Sequence, residues 1–174
     1  MIFAGGAFVD PELASYFYRL GLPVVIGYGL TEAVTVLTCN DVRPFRPDSV
    51  GPPIEGVELR VHEPDDQGIG EVRVRGRTIM QGYYKAPELT QTVLDDRGWL
   101  RTGDLGLIDA SGHLKLLGRA RNMIVTEGGK NVYPEDVEAA FDAVPCEELC
   151  VFAERYLWPK LELSGEGLCV AVRL

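Results

Sequence analysis

The chain holds 174 residues, 46% hydrophobic and 25% charged, with a formal net charge of −9. That apolar share supplies a core for one domain or parts of two, and the acidic balance excludes a protein that grips nucleic-acid phosphates through a basic face, so anionic ligands have to be held by local donors. The longest apolar runs, such as "LPVVIG" and "LCVAVRL", fall far short of a membrane span, and "MIFAGGAFVDPE" lacks the basic start of a signal peptide, which makes the cytosol the expected setting.

In chain order, "IFA" reads as a short strand broken by Gly5-Gly6. A helix follows over "DPELASYFYRLG", with Asp10 as N-cap, Pro11 in the first turn and Gly21 as its stop. Leu13, Tyr16, Phe17 and Leu20 recur at helical spacing and predict its buried face. "PVVIGYG" is the next strand, and strand, helix and strand predict a parallel pair whose ligand lies beyond the carboxyl ends. After "RPFRPDSVGPPIEG", a loop, the segments "VELRVHE", "EVRVRG", "LGLID" and "HLKLLG" alternate apolar and polar residues and predict an antiparallel unit. "APELTQTVL" is a helical insert within it. Further on, "MIV" and "NVY" flank "TEGGK" as a hairpin, "PEDVEAAFDAV" is a helix lined by Val137, Ala140, Phe141 and Val144, and "LCVFAE" and "LCVAVRL" are two more strands. Cys39, Cys146, Cys150 and Cys169 are too irregularly spaced for a disulfide framework or a zinc site and read as buried thiols.

Three places carry groups with chemistry. The turn "GYGLTEA" joins a strand end to the aromatic Tyr28, the hydroxyl of Thr31 and the carboxylate of Glu32, the parts a nucleotide and its Mg²⁺ need; starting a helix and packing a core are the alternatives. Asp104, between glycines in "RTGDLG", is placed to accept from a ribose diol or to cap its own tight turn. Arg119 follows a strand and a glycine, within reach of a ribose or phosphate, or simply exposed.

Taken together and in order, "GGA", "GYGLTEA", "GYYKAPELTQTVLDDRGWLRTGDLG" and "GHLKLLGRARNMIVTEGGKNVYPEDVE" resemble successive motifs of the adenylate-forming (AMP-binding) superfamily, through about residue 144. The resemblance implies an α/β fold with an antiparallel β subdomain. It implies an end of the parallel subdomain over 1–45, the antiparallel subdomain over 46–117, a hinge over 118–121 and the start of a small α+β domain over 122–174. It also implies roles. Gly6 and Ala7 would line the adenine pocket, and Tyr28, Gly29, Leu30 and Thr31 would meet the base and phosphates. Thr31 and Glu32 would be catalytic, Glu32 carrying Mg²⁺, with Asp104 and Arg119 on the ribose. Arg121 stands at the family's hinge position, usually Asp or Lys, and Gly128, Gly129 and Lys130 look like the loop of the thioester step.

Leu30, where peptide-synthetase domains usually have Pro, and "NMIVTEGGKNVYP" look more like a long-chain fatty-acyl-CoA synthetase. Its ligands would be ATP, AMP, Mg²⁺, coenzyme A and a carboxylate such as a fatty acid. The family's Ser/Thr/Gly-rich phosphate loop and its late catalytic lysine are not found in these 174 residues. The chain therefore reads as the middle of a longer enzyme, inert by itself, with its first strand pair offering an apolar edge for self-association. The intact enzyme would be cytoplasmic or peripheral to a membrane. Competing readings are a non-catalytic nucleotide-binding module on the same scaffold, an adenylating enzyme with another acceptor, and a dinucleotide oxidoreductase, although no "GxGxxG" follows a strand.

Overall fold

The computed structural model describes residues 1–34, 36–126, 131–141, 144–153 and 167–173. It divides into two compact units, Met1–Leu116 and Leu117–Leu174.

The first unit opens as the alternation predicts. Strand β1 (Ile2–Gly5) and strand β2 (Val24–Tyr28) run parallel, joined by helix α1 (Pro11–Arg19). The Asp10 carboxylate caps α1 by accepting from the amides of Glu12 and Leu13 at 2.6 and 3.3 Å, satisfying two donors that lack helical partners. The expected stripe is only partly the buried face. Phe17 packs inward, but Leu13, Tyr16 and Leu20 are 51%, 53% and 57% exposed, and it is the small Ala14 that meets Val24 and Ile26. The spacing marks an oily side of a helix, whereas close approach to a sheet selects a small side chain at the contact. A short third strand not foreseen from sequence, β3 (Thr38–Cys39), pairs antiparallel with the end of β2.

Strands β4 (Val57–His62), β5 (Gly70–Gly76), β6 (Leu100–Ile108) and β7 (Leu114–Arg119) form one sheet in that order, with the helix α2 (Pro87–Val93) inserted between β5 and β6. Inward residues of this sheet, Val57, Val72, Val74, Leu100 and Leu114, build a single core with Ala33 and Leu37 from the β2–β3 connection. Thr38 bridges Pro53, Gly51 bridges Leu114, and Leu37 accepts from Ile54, so the proline-rich loop fastens β3 to the larger sheet. On the outer face, Trp99 lies under the guanidinium groups of Arg60 and Arg75, at 4.0 and 4.8 Å from its ring centre.

The same turn closes three of these connections. In "DDQGI", "DDRGW" and "DASGH" the leading Asp65, Asp95 or Asp109 accepts side-chain bonds from the amides two and four residues on. In each, the glycine at the fourth position adopts a left-handed φ, near +80°. All three segments share the spacing D-x-x-G. At Asp109 the Ser111 hydroxyl, the amides of His113 and Ser111 and the charge of Arg46 together hold the carboxyl well below the usual carboxylate range.

The second unit pairs β8 (Ile124–Val125) with β9 (Asn131–Val132), as expected for a hairpin. It continues through α3 (Pro134–Ala140) to the antiparallel pair β10 (Glu148–Ala153) and β11 (Leu168–Arg173). Phe141 and Val144 do not form the expected buried face, being 39% and 41% exposed. The helix instead engages β10 through Glu138, whose carboxylate accepts from the Val151 amide at 2.8 Å. An edge-strand amide needs an acceptor, and a charged one serves it well.

The lowered pKa of Asp109 gives a pH signature. A folded value below the ordinary 3.8 contributes stability that is complete above that pH and is lost as pH falls through the folded value. Asp109→Asn is therefore expected to destabilise the chain at pH 7, with the gap from wild type narrowing steadily below pH 3.8, as urea titrations across that range would measure.

Candidate active site

Of the candidate residues, those of the first unit gather where β1 and β2 end. Gly5 lies opposite Gly27 in the parallel register, so Gly6 and Ala7, both exposed, leave the sheet beside Tyr28. Tyr28 is the last residue of β2 and is half-buried, and its hydroxyl donates to Asp104 Oδ2 at 2.5 Å.

Asp104 corrects the sequence reading in one respect. It sits inside the continuous strand β6 rather than on a tight turn, and only 9% of it is exposed. What the glycines mark is a bulge. Opposite the single residue Val72 of β5, strand β6 runs through Thr102, Gly103 and Asp104, and Gly103 takes a left-handed φ of 72° to absorb the surplus. Thr102 repairs the interrupted ladder: its hydroxyl donates to the Val72 carbonyl at 2.7 Å and accepts from the Asp104 amide at 3.1 Å. A bulge re-aims a side chain, and here it brings Asp104 onto Tyr28.

Beyond Tyr28 the chain passes Gly29 and an extended Leu30, then makes a single 3₁₀ turn over Thr31–Ala33. The fully buried Ala33 anchors that turn in the core, and the Leu37 amide returns to the Tyr28 carbonyl at 2.8 Å. Thr31 is left exposed and Glu32 half-buried. Glu32 is gripped twice by the segment ahead of α2. Its backbone carbonyl accepts from the Met80 amide at 2.7 Å, and its carboxylate Oε1 accepts from the Tyr83 hydroxyl at 2.9 Å. That bond, with burial and the carboxylate charge, pushes the Tyr83 phenol up from its ordinary pKa.

The donor set suits Mg²⁺, which takes oxygen ligands and commonly uses one or two carboxylates together with substrate phosphates. Among the described residues, Glu32 Oε1 is committed to Tyr83 while Oε2 takes no protein donor. Arg119, at the end of β7, and Arg121 belong to the second unit and are exposed. Gly128, Gly129 and Lys130 lie outside the described residues.

Two residues of this site escaped the sequence reading. Thr102 and Tyr83 stand inside quoted motifs, yet nothing local tells a Thr that it will stitch a bulge or a Tyr that it will meet a carboxylate 51 positions away. A separate line of Ser49, His113 and Asp41 has the look of a nucleophile relay, with contacts of 3.3 and 3.1 Å. Its chemistry is different: the Ser49 hydroxyl is spent on the Leu114 carbonyl and the Gly51 amide, and Ser49 is 3% exposed, so it braces the loop.

Comparison with known proteins bears on the family and the fold. The family model for AMP-binding enzymes matches residues 1–84. The long-chain-fatty-acid–CoA ligase heimdall of Drosophila melanogaster is 39% identical over 150 residues, covering 84% of this chain and 21% of the ligase. The long-chain-fatty-acid–CoA ligase ACSBG2 of Gallus gallus is 38% identical over 138 residues, 79% of this chain and 18% of that protein. Among solved structures, ATP-bound MatB from Rhodopseudomonas palustris superposes with a TM-score of 0.81 at 34% identity, covering 98% of this chain and 34% of MatB. The O-succinylbenzoate coenzyme A synthetase MenE from Bacillus subtilis, in complex with ATP and magnesium ion, gives 0.83 at 27% identity, covering 98% of this chain and 36% of MenE. The chain belongs to the AMP-binding superfamily and resembles its fatty-acyl-CoA synthetases. It spans about a fifth of the length of the curated relatives it matches.

The bulge carries its own test. Thr102→Val keeps the side-chain shape but strands a buried carbonyl and a buried amide, and is expected to cost about 1–3 kcal/mol in chemical denaturation. Thr102→Ser, which keeps the hydroxyl, should retain most of that stability.

Proposed function

We propose that this chain carries part of the adenylation site of an ATP-dependent acyl-CoA synthetase, one that takes a fatty acid or a similar carboxylate. In the first half-reaction a carboxylate oxygen attacks the α-phosphorus of ATP, giving an acyl-adenylate and pyrophosphate. In the second, the thiol of coenzyme A attacks the acyl carbonyl and AMP leaves. The observation that carries this reading is the convergence at the end of β2, where an aromatic ring bonded to a buried carboxylate and a second carboxylate held at one oxygen stand on either side of the Gly29–Thr31 turn. It is supported by the family match over residues 1–84, which takes in Tyr28, Glu32 and Tyr83.

In this reading the exposed Gly6 and Ala7 border the adenine, Tyr28 presents its ring to the base, and Asp104 accepts from the ribose; the family motif gives Arg119 a ribose-binding role as well. Thr31, at the start of the 3₁₀ turn, donates to phosphate oxygen, and Glu32 holds Mg²⁺. The metal, when bound, offsets the negative charge of the phosphates. Gly128, Gly129 and Lys130 serve the thioester step. The protein works in the cytosol or against a membrane surface from which its acyl substrate partitions, and β1, an edge strand with Ile2 and Phe3 exposed, favours self-association of this stretch when it stands alone.

ATP–pyrophosphate exchange with a panel of fatty acids tests the assignment. The whole protein is expected to exchange, Glu32→Ala to lose on the order of 10²–10³-fold, and the 174-residue stretch alone to show nothing above that variant. Exchange by Glu32→Ala at the wild-type rate would refute the role of Glu32.

Arg121 is proposed as the pivot between the half-reactions. Its exposure and its position five residues into the second unit support this. Arg121→Pro, which fixes φ there, is expected to impair thioester formation more than adenylation, and equal loss of both would count against a pivot.

A further inference from the structure

We infer that Tyr83 is a positioning residue for Glu32, setting which carboxylate oxygen is presented to a divalent cation. The inference rests on the reading of Glu32 given above and extends it to a residue outside the "GYGLTEA" turn.

A glutamate side chain on a short turn has several rotamers open to it, and Thr31–Ala33 is a single 3₁₀ turn with no side-chain cap. Two bonds from one segment limit that freedom. The Met80 amide fixes the Glu32 backbone, and the Tyr83 hydroxyl, 2.9 Å from Oε1, fixes the carboxylate. The donor is itself held. The Tyr83 amide donates to Thr90 Oγ1 at 2.9 Å, and Thr90 Oγ1 in turn donates to the Ala86 carbonyl at 3.0 Å. Gly82 passes so close to Thr90 that an added Cβ would lie 2.9 Å from its side chain. The backbone that carries the phenol is therefore held on α2, and the insert acts as a buttress for the turn.

With Oε1 occupied by the Tyr83 hydroxyl, Oε2 is the oxygen that would be offered to a cation, and a single carboxylate oxygen suits Mg²⁺, which keeps several of its waters. The neighbouring Tyr84 plays no such part, being 87% exposed, with the Lys85 ammonium 5.3 Å from its ring centre.

Mn²⁺ binding to the whole protein with a non-hydrolysable ATP analogue, followed by electron paramagnetic resonance, provides a readout independent of turnover. Tyr83→Phe is expected to weaken Mn²⁺ binding about tenfold, the usual effect of losing a hydrogen-bonded support of a metal ligand. Metal-free affinity for the analogue and the thermal midpoint should stay near wild type. Glu32→Gln should weaken Mn²⁺ further, and the double variant should be no worse than Glu32→Gln, because Tyr83 acts through it. If Glu32→Gln loosens the metal and Tyr83→Phe does not, the positioning role is overturned while the role of Glu32 stands. If Glu32→Gln binds Mn²⁺ like wild type, the reading of Glu32 itself fails, and with it this inference. Additive losses in the double variant would overturn it as well.

Discussion

A carboxylate that is 9% exposed has to be supplied with donors, and in the first unit that requirement falls on Asp104. It is met by Tyr28, from a different sheet, and the bond between them ties the end of a parallel strand pair to the middle of an antiparallel sheet. The bulge in β6 exists on the same account. Without the surplus residues at Thr102–Asp104, regular alternation would set the side chains of β6 by the pleat alone, and the bulge breaks that rule at one point. Thr102 then keeps the break from leaving buried backbone groups unpaired.

The second carboxylate follows a different physical logic. Glu32 is half-buried on a loop, and its order comes from outside the loop: from Met80, from Tyr83 and, behind Tyr83, from Thr90 on α2. Ile79 and Met80 also pack on the main core, so the segment that steadies Glu32 is fixed by burial as well as by hydrogen bonds. A helix that looks like a mere insertion between two strands thereby becomes part of how the β2 turn is held. Rigid elements supporting a loop-borne group are the usual way for a fold to give such a group a defined direction.

Much of the fold was legible because its signals are local. Alternation marked β4, β5 and β7, and Asp10 and Pro11 marked the start of α1. The errors arose where a local signal had two outcomes. Glycines around Asp104 suggested a tight turn, but glycine serves a bulge equally well, and only pairing with β5 distinguishes them. The oily stripes of α1 and α3 showed amphipathic helices without showing what each would meet, and Ala14 and Glu138 made the contacts instead. Of the candidate site, Tyr28, Thr31, Glu32 and Asp104 could be named from motif order, whereas Tyr83 and Thr102 could not.

By itself the sequence determined most of the elements, the family and the residue types at the end of β2, because caps, alternation and glycine spacing act over a few positions. The tertiary structure alone decided which of those residues touch. Tyr28 meets Asp104 across 76 positions and Tyr83 meets Glu32 across 51, and each bond is closed by strand register and core packing that no short stretch encodes.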